Sequence, residues 1–367
     1  NARDVDRNAE PVRLMGRVGR SYVAGKEQAM RTLTVDELCA CARGAAEVVE
    51  RTDGLHFARW QPAARECWQK IADENDRPQL MVRVDCSTGV VLDFLTDAAS
   101  VSVEATLDEG ARRVAHFDLW VDGAFAGCLG SPEPGDCVQG EIVLPPGDGQ
   151  RHCTLYLPQS RPCHVRTVGL SEGASFAPAA ALPVLLALGD SITQGMDSVH
   201  PGLTFPAVAG RRLGMTVHNG GVGGWIFDVG SLPEPPVPAP ALVLVAFGTN
   251  DFSNGLTPEP AGPYLEQVRR FYPEAPVAVL EPLWRSAYGG ETGRNAAGRT
   301  LSEYRAALRD VVAGFQGVQL VRMEWQLPPG DAFLEDGLHP TTAGHMVLGE
   351  NVARALAAAG LRAPRSL

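Results

Sequence analysis

The sequence predicts an α/β protein in two parts: an N-terminal antiparallel β-sandwich, followed by a three-layer α/β/α domain built on a parallel sheet. Three observations predict it. From Gln79 to about Leu170 the chain breaks into short β-branched and aromatic runs separated by turn residues, the texture of an antiparallel sandwich. From Val184 onward apolar runs alternate with helical segments, as in βαβ units whose parallel sheet is covered on both faces. Between them "SEGASFAPAAALP" (171–183) is small, Ala-rich and Pro-punctuated. A linker of that kind divides the chain into residues 1–175, an accessory part with a helix and a sandwich, and 183–367.

The elements follow in order. Residues 1 to about 30 carry no clear period. "TVDELCACARGAAEVVERTDG" opens on Thr34-x-x-Glu37, a capping box, and closes on Gly54, so it reads as one helix. "QLMVRVDC", "VVLDFLTD", "SVSVEATLD", "HFDLWVDGAFAGCL", "GEIVLPPG", "HCTLYLP" and "HVRTVGL" read as strands. "SVSVEATL" alternates strictly, with Val101, Val103, Ala105 and Leu107 on one side, and Asp122-Gly123 marks a hairpin. In the second part strands are expected at 184–188, 215–218, 242–247, 277–280 and 318–321, and helices near 204–213, 258–271, 299–314 and 341–359. Thr257 and Thr341 are expected N-caps, and Gly214 and Gly360 expected stops. The connections 231–240 and 285–299 are candidates for walls over a site.

Composition narrows the function. The chain has 367 residues, 45% of them hydrophobic and 20% charged, enough to bury a sizeable core without a metal or a staple. A net charge of −11 opposes binding to nucleic acid or to an anionic membrane, which needs clustered Lys and Arg. No apolar run reaches the length of a bilayer span, and "NARDVDRNAEPVRLMG" lacks the order of a signal peptide. All eight cysteines lie in the first half without regular spacing. Even the pairs His152-Cys153 and Cys163-His164 do not make a zinc set, so free thiols in the cytoplasm are expected.

Four short segments then fall in a telling order. Ser191, in "GDSITQG", follows the first strand of the second part; "NGGVGGW" (219–225) follows the second, "FGTND" (247–251) the third, and "DGLHP" (336–340) precedes the last helix. Strand ends of a parallel sheet converge on one edge, so these segments meet there. The residue types suit acyl transfer. Ser191 is the candidate nucleophile, His339 the base that takes its proton, and Asp336 the carboxylate that fixes the imidazole tautomer. The amides of Ser191 and Gly224 and the side chain of Asn250 are candidate donors to the oxyanion, with Gly223 adjacent as the alternative glycine. Asp190 and Asp251 read as turn stabilisers, and His345 as a surface or packing residue.

These blocks, "GDSITQG", "NGGVGG", "GTND" and "DGLHP", resemble blocks I, II, III and V of the SGNH hydrolases, also called the GDSL family, over about residues 183–360. The resemblance implies Ser191 as nucleophile, Gly224 and Asn250 as oxyanion donors, and His339 with Asp336 as base and orienter. The first half is similar in layout to the sandwich that precedes this domain in some carbohydrate esterases. Its Trp120 could stack on a sugar, although in "FDLWVDG" a core place fits better.

Water or a bound hydroxyl can resolve an acyl-enzyme. The expected function is therefore an O-acyltransferase that tailors a hydroxylated natural product, with an esterase deacylating a carbohydrate as the alternative. The expected partners are a small acyl donor such as an acyl-CoA and a hydroxylated acceptor, with no cofactor, no nucleic acid and no membrane. Trp225, Phe227, Phe252, Trp284 and Tyr288 follow the strand ends and are expected to line an apolar substrate pocket.

Overall fold

A computed structural model describes residues 30–362; the N-terminal stretch without a period lies outside them. The first described elements are β1 (Met30–Thr32), α1 (Val35–Cys41), β2 (Ala42–Arg43), β3 (Glu47–Arg51) and β4 (Gly54–Ala58). The Thr34 capping box forms, with the Glu37 amide donating to Thr34 Oγ1 and the Thr34 amide to Glu37 Oε2. The helix it opens lasts only seven residues, which corrects the expectation of one helix to Gly54. Gly44 turns the chain at φ +76, where a Cβ would meet Gly89 O at 2.5 Å. The β-branched Val48 and Val49 then pair with Phe57 and His56 in a hairpin.

Two helices follow, α2 (Pro62–Glu74) and α3 (Gln79–Asp85). The second replaces the strand expected at "QLMVRVDC". Leu80, Met81 and Val84 are its buried residues, and that spacing makes one helical face, whereas a strand would bury alternate positions.

The remaining strands of the first part are β5 (Val91–Thr96), β6 (Ser100–Leu107), β7 (Ala115–Val121), β8 (Ala124–Ser131), β9 (Cys137–Val143), β10 (Arg151–Tyr156), β11 (Cys163–Ser171) and β12 (Ala177–Pro178). One sheet runs β3-β4-β11-β6-β9 with β1 also on β11; the other runs β12-β5-β10-β7-β8 with β2 on β5. Val101, Val103, Ala105 and Leu107 point into the core between them, against residues such as Phe94, Phe117 and Leu155. Asp122 and Gly123 turn the β7–β8 hairpin at φ +50 and +79, as a tight two-residue turn requires.

The second part contains β13 (Val184–Gly189), α4 (Ser191–Gln194), α5 (Phe205–Leu213), β14 (Thr216–Gly221), β15 (Leu242–Ala246), α6 (Thr249–Ser253), α7 (Ala261–Phe271), β16 (Val277–Leu280), α8 (Leu301–Ala313), β17 (Val318–Val321) and α9 (Thr342–Ala358). The strands form one parallel sheet in the order β14-β13-β15-β16-β17. The fold class is the one the sequence predicts. Thr341 caps α9 by accepting the Gly344 amide, and Gly214 stops α5 at φ +69. Thr257 does not cap α7, which is entered instead through Pro260 at its N-cap.

Alternate residues of this sheet serve two cores. Leu186, Leu188, Val243, Val245, Val277 and Val279 face one side, and Leu185, Leu242, Leu244, Ala278 and Leu280 the other. Helices α5 and α9 cover the second side. The first is covered by α7 and α8 and also by the early segment of the chain, through Trp60, Trp68, Ile71, Leu80 and Val84. Arg59 fastens that segment. Its buried guanidinium donates to the carbonyls of Asn219 (2.6 Å) and Gly221 (3.1 Å) in β14 and to those of Arg83, Val84 and Cys86. No helix among the described residues is long and apolar enough to cross a membrane.

Candidate active site

Strand β13 ends at Gly189 because nothing larger fits: a Cβ there would lie 2.1 Å from Thr193 Oγ1 and 2.7 Å from Ala246 O. Asp190 follows and caps α4, its Oδ1 accepting the Ile192 amide at 3.0 Å. Ser191 therefore begins a short helix at the C-terminal edge of the parallel sheet, where it is 3% exposed. His339, in the loop before α9, reaches the same point. Its Nε2 is 2.8 Å from Ser191 Oγ, and its Nδ1 is 2.8 Å from Asp336 Oδ2.

Asp336 is itself held in place, with Oδ1 accepting the amides of Leu338 (3.0 Å) and His339 (2.8 Å). Burial pushes its carboxyl upward, but the hydrogen bonds and charge of His339 and the Leu338 amide outweigh it, leaving the group below the usual carboxylate range. The three residues singled out in the sequence thus form one hydrogen-bonded chain.

A second carboxylate, which sequence reasoning missed, lies beside it. Asp197 Oδ2 is 3.3 Å from His339 Nδ1, and Asp197 adopts φ +69, unusual for a residue with a side chain. Arg112, in the loop between β6 and β7, grips this carboxylate at both oxygens, Nε to Oδ1 at 2.5 Å and Nη2 to Oδ2 at 3.0 Å. The sandwich therefore sends a charge to the imidazole's far side. Asp197 lies two residues beyond "GDSITQG", yet only the turn and a distant arginine reveal its place.

The candidate oxyanion donors come from three adjacent strand ends. In register, Gly189 of β13 faces Gly221 of β14 and Ala246 of β15, so Ser191, Gly224 and Asn250 all follow the same edge. The Gly223 amide donates to Gln194 Oε1 at 2.9 Å, which leaves Gly224, at φ +78, as the candidate of the two glycines. Asn250 Nδ2 donates to Trp225 O at 2.9 Å, which orients the amide and leaves its second N–H.

Two acids lie beneath the edge. Asp251 accepts the Phe227 amide at 3.2 Å, and burial pushes its carboxyl up to about 6. Burial likewise pushes Asp190 up to about 7 from an ordinary 3.8. The unfolded chain then binds fewer protons at Asp190 than the folded one between those values, so this group costs stability as pH rises through that window. The expected result for Asp190→Asn is that its stability relative to the parent improves from pH 4 to 7, at up to about 1.4 kcal/mol per pH unit. Paired denaturant titrations at several pH values check it; a pH-independent difference would show that Asp190 stays ionised in the fold.

His345 is buried within α9, with Nδ1 accepting the Phe205 amide at 3.3 Å and Nε2 3.1 Å from Met196 O. Burial lowers its pKa to about 4, so it packs as a neutral ring. The expected aromatic pocket is corrected in part. Phe227 and Phe252 are buried, Phe227 against Phe247 and Tyr264 and Phe252 against Tyr304. Trp225 is 5% exposed and sits edge-on to Trp68. These rings turn under the strand ends because the sheet's upper face still has core to fill. Trp284 is half-buried and packs toward the α5–α9 core, and the side chain of Tyr288 lies outside the described residues.

A cavity of about 470 Å³ opens elsewhere, at the seam between the sandwich and α5. There the Arg211 guanidinium lies 3.9 Å over the Trp120 ring and bonds the Tyr156 hydroxyl, so an arginine already covers a face of Trp120. His152 and His164 pair with Asp93 and Asp108. The adjacent Cys153 and Cys163 are buried free thiols, and burial pushes Cys153 up to about 12. Among the described residues, Asp118, Cys128 and His200 also bring ligand atoms together, with His200 Nδ1 and Asp118 in a 2.8 Å hydrogen bond.

With this geometry in view, residues 187–347 match the sequence model of the GDSL-like lipase/acylhydrolase family. No curated protein matches the chain by sequence. Among solved structures, the chain is similar to the salicylyl-acyltransferase SsfX3 from a tetracycline biosynthetic pathway: 20% identity, TM-score 0.75, covering 90% of this chain and 98% of that one. It is similar to a Bacteroides ovatus protein classed as a GDSL-like lipase, with 17% identity, TM-score 0.69, and 90% and 98% coverage. It is also similar to a family two carbohydrate esterase from Clostridium thermocellum in complex with cellohexaose, with 17% identity, TM-score 0.56, and 75% and 94% coverage. At these identities the likenesses speak to fold. The family match runs from within β13 to within α9, and the chain carries a GDSL-like lipase/acylhydrolase domain.

Proposed function

We propose that the protein transfers an acyl group through an acyl-enzyme on Ser191, and that a hydroxylated small molecule is the acceptor. The observation that carries the reading is the Ser191–His339–Asp336 hydrogen-bonded chain at the sheet edge. Ser191 Oγ attacks the acyl carbonyl carbon while its proton passes to His339 Nε2. The oxyanion faces the amides of Ser191 and Gly224 and the side chain of Asn250, donors that stabilise it without reorganising. As the intermediate collapses, the bond to the leaving group breaks and the leaving group takes the proton from His339. The acceptor hydroxyl then gives its proton to His339 as its oxygen attacks the acyl carbon, the bond from that carbon to Ser191 Oγ breaks, and His339 returns the proton to Oγ. The steps ask for no cofactor.

The transferase reading is supported by likeness over the whole two-part layout to an acyltransferase of a tetracycline biosynthetic pathway. The esterase reading is favoured by likeness to a carbohydrate esterase; in it, water takes the acceptor's place. Product analysis separates the two. Given acyl thioesters, a panel of polycyclic and sugar hydroxyl acceptors, and acetylated sugars, the expected result is acylated acceptor in excess of free acid. Free acid alone, with acetylated sugars consumed fastest, would favour hydrolysis.

A further inference from the structure

Two arginines from the first half reach the loop that carries the candidate oxyanion glycine. Arg77, between α2 and α3, donates from Nη2 to Gly224 O at 3.3 Å, and its guanidinium lies 5.7 Å over the Trp225 ring. Arg83, in α3, donates from Nη1 to Gly223 O at 3.0 Å. Both heads sit against Gly224 itself, since a Cβ there would meet Arg77 Nη2 at 2.9 Å and Arg83 Nη1 at 3.0 Å. Among the described residues neither arginine forms an ion pair, whereas nearby Arg112 is matched by Asp197. Each uses one N–H on a carbonyl and keeps others of its fork for a ligand.

That placement is costly without a ligand. Burial and then the neighbouring charges of Arg77 and Arg112 lower the Arg83 pKa, so the cations repel one another in a partly dry place. In a chain of net charge −11, two arginines that have no acid paired with them among the described residues suit a negative group from outside.

We propose that Arg77 and Arg83 form an anion subsite beside Gly224, and that the substrate carries a carboxylate or phosphate that docks there during acyl transfer. The inference rests on the acyl-transfer reading and names its substrate class. The negative group has two possible sources. It belongs either to the acyl chain, as in a dicarboxylic half-ester, or to the leaving group, as in a coenzyme A thioester. In both cases an anion against two forked guanidinium groups raises affinity and fixes which way the carbonyl faces.

Matched probes test it. Mono-4-nitrophenyl succinate is compared with neutral 4-nitrophenyl butyrate for the acyl side. Acetyl-coenzyme A is compared with neutral acetyl-N-acetylcysteamine for the leaving side. In at least one pair, kcat/KM at low salt is expected to favour the anionic member by about tenfold or more, from one to two charge-assisted hydrogen bonds. That ratio falls with added salt and collapses toward one in Arg77→Gln/Arg83→Gln, while Arg77→Lys/Arg83→Lys keeps most of it. If the glutamine pair loses both members of each pair equally, or if the parent chain shows no preference in either pair, the arginines only brace the loop and the subsite is refuted. Calorimetric binding of coenzyme A and of mono-4-nitrophenyl succinate to Ser191→Ala needs no turnover. A preference there without turnover of any probe by the parent would sink acyl transfer and keep the subsite.

Discussion

Ser191→Ala is expected to lower the proposed acyl transfer by about a millionfold, and His339→Ala and the double variant by about the same factor. The equality follows from the geometry. Ser191 Oγ and His339 Nε2 share one hydrogen bond of 2.8 Å, so the hydroxyl without its base and the base without its hydroxyl are equally idle. Neither side chain supports the core, and both variants should keep the parent melting temperature within a few degrees. Turnover of a thioester and covalent labelling by a serine-directed fluorophosphonate read the effect. A folded Ser191→Ala that still labels, or that turns over near the parent rate, would end the assignment.

The second large effect belongs to the carboxylates behind the imidazole. Where a single aspartate orients a histidine, its change to asparagine costs about 10⁴ in kcat, because the wrong tautomer is then favoured. Here two acids face Nδ1, Asp336 at 2.8 Å and Asp197 at 3.3 Å. Asp336→Asn is therefore expected to cost clearly less than that, Asp197→Asn less again, and the double variant about 10⁴, more than the product of the two single losses. KM should change little, since neither group is expected to touch substrate. Steady-state kinetics of the four proteins in this cycle decide it. If Asp336→Asn alone already matches the double variant, Asp197 gives the imidazole nothing.

Ser191, Gly224, Asn250, Asp336 and His339 were legible in the sequence because the sheet's topology fixes where they go. Once the apolar runs alternate with helices, the residues after each run must share an edge, and no side-chain detail is needed. Local chemistry read less well where packing decides. The Thr34 capping box starts a helix but does not set its length, since Val48 and Val49 gain more as a hairpin on β4. At Gln79–Asp85 a run with two valines becomes a helix because one of its faces finds the parallel sheet. Phe227 and Phe252 follow the strand ends that the sequence predicts but point inward, as ring direction depends on neighbours such as Tyr264 and Tyr304. Asp197 and Arg112 were beyond reach for a plainer reason: their contact joins segments with no shared pattern, and an αL turn makes it.

The early helices carry a consequence for dissecting this protein. The seam in the chain near residues 171–183 is not the seam in the packing, because Trp60, Trp68, Leu80 and Val84 complete a core that belongs to the parallel sheet. Arg59, Arg83 and Arg77 also donate to the carbonyls of β14 or of the loop leaving it. A fragment cut at residue 183 would bare Leu186, Leu188 and Trp225 and leave the loop of the candidate oxyanion glycine without its supports. The sandwich cannot be exchanged for another module like a tag. Any recombination with a relative has to carry residues 59–85 along with the parallel-sheet half, so crossovers belong on the sandwich side of Arg59 and after Asp85.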